Sequence, residues 1–163
     1  MNIFGFKFDL FGENNPKRMP AHLFFGSEWM DYSTAERTDV SKQNYTVCPR
    51  HWYVNAGFIC RECGKEFVFT AKEQRFWYED MHFWIDSLPT RCPACRKEQR
   101  TRVNLRKRYD ELIATAIGRC PPELKKEVLA IINELEAAED EIPERMKQHR
   151  ATLCAQLAKR GEE

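Results

Sequence analysis

The feature that most limits what this chain can fold into is a pair of Cys-x-x-Cys steps, Cys60-Arg61-Glu62-Cys63 and Cys92-Pro93-Ala94-Cys95. Two intervening residues let the backbone curl until both sulfurs of a step reach one ion, and two steps close a tetrahedral set of four thiolates. Cys60, Cys63, Cys92 and Cys95 are therefore the expected ligands of Zn2+. A site closed by four thiolates has no open position, so it serves folding and not hydrolysis. Gly64 follows the first step, where the curl calls for a left-handed backbone or a close approach. Four reduced core cysteines, or two redox pairs, are the competing readings. A redox step follows a βαβ strand, and no such pattern flanks either one.

The residues between the two steps carry a further signal. Cys60-x-x-Cys63-Gly64-Lys65-Glu66-Phe67-Val68-Phe69-Thr70-Ala71-Lys72-Glu73-Gln74 runs on to Phe76-Trp77-Tyr78-Glu79 and then to Pro89-Thr90-Arg91-Cys92-x-x-Cys95-Arg96. With the lead-in His51-Trp52-Tyr53-Val54, this stretch resembles the probable zinc-ribbon domain family of treble-clef type, found mainly in bacteria. The resemblance covers roughly residues 50 to 100. It implies a fold and a metal, not a substrate. Residues 1–45 and the C-terminal third lie outside it.

Composition bounds the rest. The chain has 163 residues, enough for one domain or two small ones. Its 26 Lys and Arg nearly cancel 25 Asp and Glu, so only local charge can point to a partner. An odd count of seven cysteines fits a reducing compartment better than a disulfide framework. No apolar run approaches a membrane span, and Lys7 and Asp9 interrupt any secretory signal at the start. The expectation is a cytoplasmic protein with no membrane partner.

The pattern along the chain reads as α+β: a small treble-clef or zinc-ribbon module, a β or irregular N-terminal arm, and C-terminal helices. Three segments are expected, at 1–46, 47–108 and 109–163. Phe4, Phe6, Phe8 and Leu10 alternate with Gly5, Lys7 and Asp9, as in a strand. Leu23, Phe24, Phe25 and Trp29 form an aromatic patch, and Ser27 to Asn44 is polar and reads as loop. Strand material before Cys60 and at Glu66–Phe69 predicts a hairpin around the first step. Thr70-x-x-Glu73 is a capping box that starts a helix. The aromatics Phe76, Trp77, Tyr78, Phe83 and Trp84 read as the mini-core a small zinc domain needs, with a stacking platform for bases as the alternative. Pro93 opens a long helix capped by Cys92 and ending near Gly118. Two more amphipathic helices follow. One presents Leu124, Val128, Ile131, Ile132 and Leu135, with Lys125 on its polar face. The other presents Ile142, Met146, His149, Leu153, Cys154 and Leu157.

The sharpest functional signal follows Cys95. Arg96, Lys97, Arg100, Arg102 and Arg106, with Arg91, Lys107 and Arg108, are opposed only by Glu98. Such a stripe neutralises phosphates and releases their counterions, which predicts RNA or DNA as partner. A solvated face, neutralised in part by Glu134 to Glu144 folding back, is the plainer reading. Cys48-Pro49-Arg50-His51 is a weaker candidate ligand pair. Cys120 and Cys154 lack ligand spacing and read as small buried residues. His22, His51, His82 and His149 are too scattered for a second, open metal site. Paired carboxylates, a nucleophile elbow and a phosphate-binding glycine loop are missing. The expected function is a nonenzymatic zinc module without a small-molecule substrate that binds nucleic acid. The alternative is an assembly adaptor for another protein or a second copy, using the aromatic arm and C-terminal helices.

Overall fold

A computed structural model describes residues 9–138 and 141–160. The alternating Phe4, Phe6 and Phe8 lie outside the described residues. The chain divides into two units, one ending at Cys95 and the other beginning at Arg96.

The first unit is built on a three-stranded antiparallel sheet of β1 (Trp29–Arg37), β2 (Trp52–Ile59) and β3 (Glu66–Phe69), in that order. β2 and β3 form the expected hairpin, in the register Ala56–Phe69, Gly57–Val68, Phe58–Phe67 and Ile59–Glu66. Phe67 and Phe69 share the inward face. They pack with Tyr53, Val54, Phe58, Tyr78, Ile85, Leu23 and Phe24.

β1 falls within Ser27 to Asn44, the stretch that reads as loop. The physical reason is an irregularity that destroys the period of two. Asp31 pairs with Asn55, yet the next pair is Glu36 with Tyr53, so residues 32–35 loop out against Val54. The excursion is held by local bonds. The Asp31 carboxylate accepts from the Ser33 N–H at 3.0 Å and its hydroxyl at 2.6 Å. The Thr34 hydroxyl donates to the Asp31 carbonyl at 2.7 Å and accepts from the Asn55 N–H at 2.8 Å.

α1 (Ala71–Arg75) begins as the capping box requires: Thr70 Oγ1 accepts from the Glu73 N–H at 3.1 Å. It continues into one wide π-type turn over Phe76–Asp80. Gln74 is fully buried, and its amide donates to the carbonyls of Val54 at 2.5 Å and Phe69 at 2.9 Å. The aromatic segment divides. Tyr78 is buried and Trp77 packs on the core, whereas Phe76, Phe83 and Trp84 are exposed. The mini-core expectation holds only for the first pair. It draws its remaining rings from the strands.

The second unit is helical. α2 (Pro93–Ile117) starts just before the unit boundary, and α3 (Pro122–Ala138) and α4 (Glu144–Arg160) follow. Tyr109, Ile113 and Ala116 of α2 meet Val128, Ile131, Ile132 and Leu135 of α3, with Ile142 and with Met146 and Leu153 of α4. The narrow apolar stripes therefore cover one another. Three local expectations change. Lys125 is buried, because its long stem lies in the core while its ammonium reaches the Gln156 side-chain oxygen. Cys154 is exposed, one position past the buried Leu153, although Cys120 is buried as expected. Gly118 ends α2 without the left-handed backbone of a glycine cap.

Candidate metal centre

Two turns bring the sulfurs together. Gly64 has φ +69°, and no atom lies within 4 Å of where its Cβ would be, so the demand there is conformational, not spatial. The Gly64 N–H donates to the Cys60 carbonyl at 2.9 Å, and the Cys60 N–H donates to the Lys65 carbonyl at 2.9 Å, closing the first turn. The second turn is the N-terminus of α2. There the Cys95 N–H points at Cys92 Sγ across 3.5 Å, the capping arrangement expected of Cys92. The two turns are stitched to each other. The Arg61 N–H donates to the Thr90 carbonyl at 2.9 Å, and the Cys92 N–H points at Cys60 Sγ across 3.3 Å.

The outcome is a compact sulfur cage. Sγ atoms of Cys60, Cys63, Cys92 and Cys95 all lie within 4.8 Å of one another. Cys63 Sγ and Cys92 Sγ are 3.9 Å apart. A tetrahedral ion with about 2.3 Å bonds to sulfur sets its ligands about 3.8 Å apart, so the cage fits zinc in size and in donor type. Cys60, Cys92 and Cys95 are buried and Cys63 is exposed. The thiols are unequal. The Cys63 N–H, with those of Cys92 and Glu62, draws the Cys60 thiol down to about 6 against burial. Cys95 is pushed up, first by its contact with the Cys92 thiol and also by burial and by Cys63 and Cys60. Four crowded sulfurs cannot all ionise unaided, and a bound cation removes that conflict.

Residues 56–104 match the family model for a probable treble clef domain. That segment takes in the β2–β3 hairpin from Ala56, both cysteine turns and the first turns of α2, the elements of a treble clef. No curated protein and no solved structure matches the chain.

The other candidates fall elsewhere. Cys48 and His51 are not part of the sulfur cage, and the histidine beside Cys48 is His22, with Nε2 at 3.7 Å from Sγ. His82 sits at an exposed turn, where its Nδ1 lies 2.9 Å from the Lys42 carbonyl oxygen. His149 belongs to the helical unit, with Nδ1 at 2.5 Å from the Tyr109 hydroxyl.

The basic residues lie along α2. Lys97, Arg100 and Arg106 are exposed, and Arg96 and Arg102 are half-buried. Arg108 is paired with Glu127 at 3.0 Å and Glu111 at 3.8 Å. Lys97, Arg100, Arg102 and Lys107 have no ion-pair partner among the described residues. The acidic residues described in that segment do not pair with them. Glu136 pairs with Arg150, and Glu141 and Glu144 pair with Lys147. Sequence reasoning missed the pair Arg91–Glu62, at 2.9 Å. Its only sequence signal is that each residue lies in or beside a cysteine step. No helix among the described residues is long and apolar enough to cross a membrane.

Proposed function

We propose that this protein is a nonenzymatic zinc-stabilised module that binds nucleic acid through α2. The observation that carries the reading is charge left uncompensated. Lys97, Arg100 and Lys107 are exposed, and with Arg102 they lack acidic partners among the described residues. Arg100 and Lys107 are seven positions apart, two helical turns or about 10 Å along one face. A row of cations on a rigid helix neutralises successive phosphates without reading bases. Zinc at the sulfur cage supplies folding energy to the segment that carries the start of this helix.

The test is affinity for generic RNA and duplex DNA as a function of salt. The reading expects binding that weakens steeply with salt. Arg100→Glu with Lys107→Glu should flatten the slope by about 0.7–0.9 per lost phosphate contact. Absence of binding at low salt, or a slope that ignores these charges, overturns it.

A second reading, docking on another protein, is favoured by one observation. Phe76, Met81, Phe83 and Trp84 are each between 41% and 51% exposed within a short stretch of the first unit. A partner recovered by cross-linking at Trp84, in protein that binds no nucleic acid, selects this reading.

A further inference from the structure

A second group of metal-ligating side chains lies in the first unit, apart from the four-cysteine cage. His22 Nε2 stands 3.7 Å from Cys48 Sγ and 3.8 Å from Asp86 Oδ1. The three residues are far apart in sequence: His22 lies in a short 3-10 helix (Ala21–Phe24), and Cys48 and Asp86 lie in separate loops. Their meeting is not accidental to the fold, because a buried cation sets it. Arg50 is fully buried, with its guanidinium over the rings of Phe24 at 4.4 Å and Tyr78 at 4.9 Å. Its Nη2 donates to the Leu23 carbonyl at 2.6 Å and to the Ile85 carbonyl at 2.8 Å. Leu23 adjoins His22, Ile85 adjoins Asp86, and Cys48 lies two residues before Arg50. One guanidinium thus holds the three segments at the points that present these side chains.

Two kinds of chemistry use Cys, His and Asp together. In a nucleophile relay, thiol and carboxylate bond to opposite ring nitrogens, so that the acid orients the base. Here both face the same nitrogen, Nε2, and the relay geometry is absent. Around a shared ion the donor atoms face one point and stand about 3.3–3.8 Å apart, as bond lengths of about 2.0–2.3 Å require. The two separations from His22 Nε2 have that size, and the third, from Cys48 Sγ to the Asp86 carboxylate, is longer than 4.8 Å. We infer that Cys48, His22 and Asp86 form a second divalent-metal site, selective for a borderline cation of the zinc class. The mixed sulfur, nitrogen and oxygen donor set disfavours calcium and magnesium.

The two sites differ in kind. The four-cysteine cage is the one group among the described residues with every donor within 4.8 Å of the others. The second site closes when the Asp86 carboxylate, whose side chain is 57% exposed, turns toward Cys48 Sγ. Three protein ligands leave a fourth position for water or an added donor. Two of the three ligands, His22 and Asp86, also line a cleft of about 440 Å³ with Arg61, Phe58, Leu88 and Thr90.

The test is a Co2+ titration of the reduced, metal-free full chain, read by its visible d–d bands and sulfur-to-metal charge transfer. Zinc content of the reconstituted protein is the parallel measurement. The expected stoichiometry is two ions per chain, with the second adding weaker thiolate charge transfer than the first. Cys48→Ser, His22→Ala and Asp86→Asn should each lower it to one and leave the four-thiolate spectrum intact. His22 and Asp86 are mostly exposed, so their variants decide the matter even if Cys48→Ser fails to fold. Saturation of the parent protein at one ion overturns the inference. So does a second ion that persists in both His22→Ala and Asp86→Asn.

Discussion

Arg91 Nε lies 2.9 Å from Glu62 Oε2, joining the residue before the second cysteine step to the interior of the first. The pair spans the metal cage on its outer side. Both side chains are more than a third exposed, at 35% and 46%, so water screens the attraction. Pairs of this kind contribute about 0–1 kcal/mol. Glu62→Gln should therefore keep one zinc in the cage and weaken its affinity by less than about tenfold, measured by competition with a chromogenic chelator.

Removing a ligand has a different scale. Cys63→Ser or Cys92→Ser should abolish tight binding at the cage. The β2–β3 hairpin and α1 should then lose their ordered signals in an amide spectrum, because ligand binding and folding are one free energy at such a site. The helical unit has its own core of Tyr109, Ile132, Leu135 and Leu153, so its helical signal should survive.

Acid should release the metal from the cage, and the direction follows from the thiols. Ligation needs thiolates, so protons compete with zinc and apparent affinity rises with pH. The folded-state value for Cys60 is depressed to about 6 from the ordinary thiol value of 9.0. A depressed value means a contribution fully present above the unfolded value and lost as pH falls through the folded one. Cys95, pushed the other way by Cys92, is protonated first. Zinc should be held at neutral pH and released on acidification, at a pH below the Cys60 value of about 6 because the bound cation holds the thiolates further down, with the loss of hairpin structure tracking release.

How far the residues alone revealed this structure depended on whether a signal was local. The cysteine spacing, the left-handed Gly64, the Thr70 cap and the helical start at Pro93 are each set within a few residues, and each was legible. β1 was not, because the Asp31–Ser33–Thr34 cluster interrupts its alternation and only pairing with β2 makes it a strand. The group of His22, Cys48 and Asp86 was invisible for the same reason. His22 and Asp86 are 64 positions apart, and they meet through Arg50, a residue whose burial nothing nearby announces.

Gln74, part of the family-like motif, carries a testable structural duty. Its amide nitrogen donates to two strand carbonyls, on β2 and at the end of β3. Gln74→Leu keeps the volume and removes the donor, leaving the Val54 and Phe69 carbonyls without that partner. Burying unpaired polar groups costs about 1–3 kcal/mol. Urea unfolding of the zinc-loaded protein should show a loss in that range with an unchanged denaturant slope.

Gly57 is required by Trp29. A Cβ at position 57 would meet Trp29 Nε1 at 2.2 Å, so the indole lies flat on bare backbone across the β1–β2 pair. The same Nε1 donates to Glu66 Oε1 at 2.5 Å, linking β1 to β3 over the face of β2. Gly57→Ala must push the indole outward and break that bond. Forcing a methyl into such a contact costs about 1–3 kcal/mol. The low end is expected here, since Trp29 is already 39% exposed and can swing into solvent. Tryptophan emission should shift to the red while zinc content stays constant. Glu66→Gln weakens the same bond by removing its charge, so the two substitutions share one interaction and their costs should add to less than their sum. Additive costs would show that the indole stays in place and the sheet yields instead.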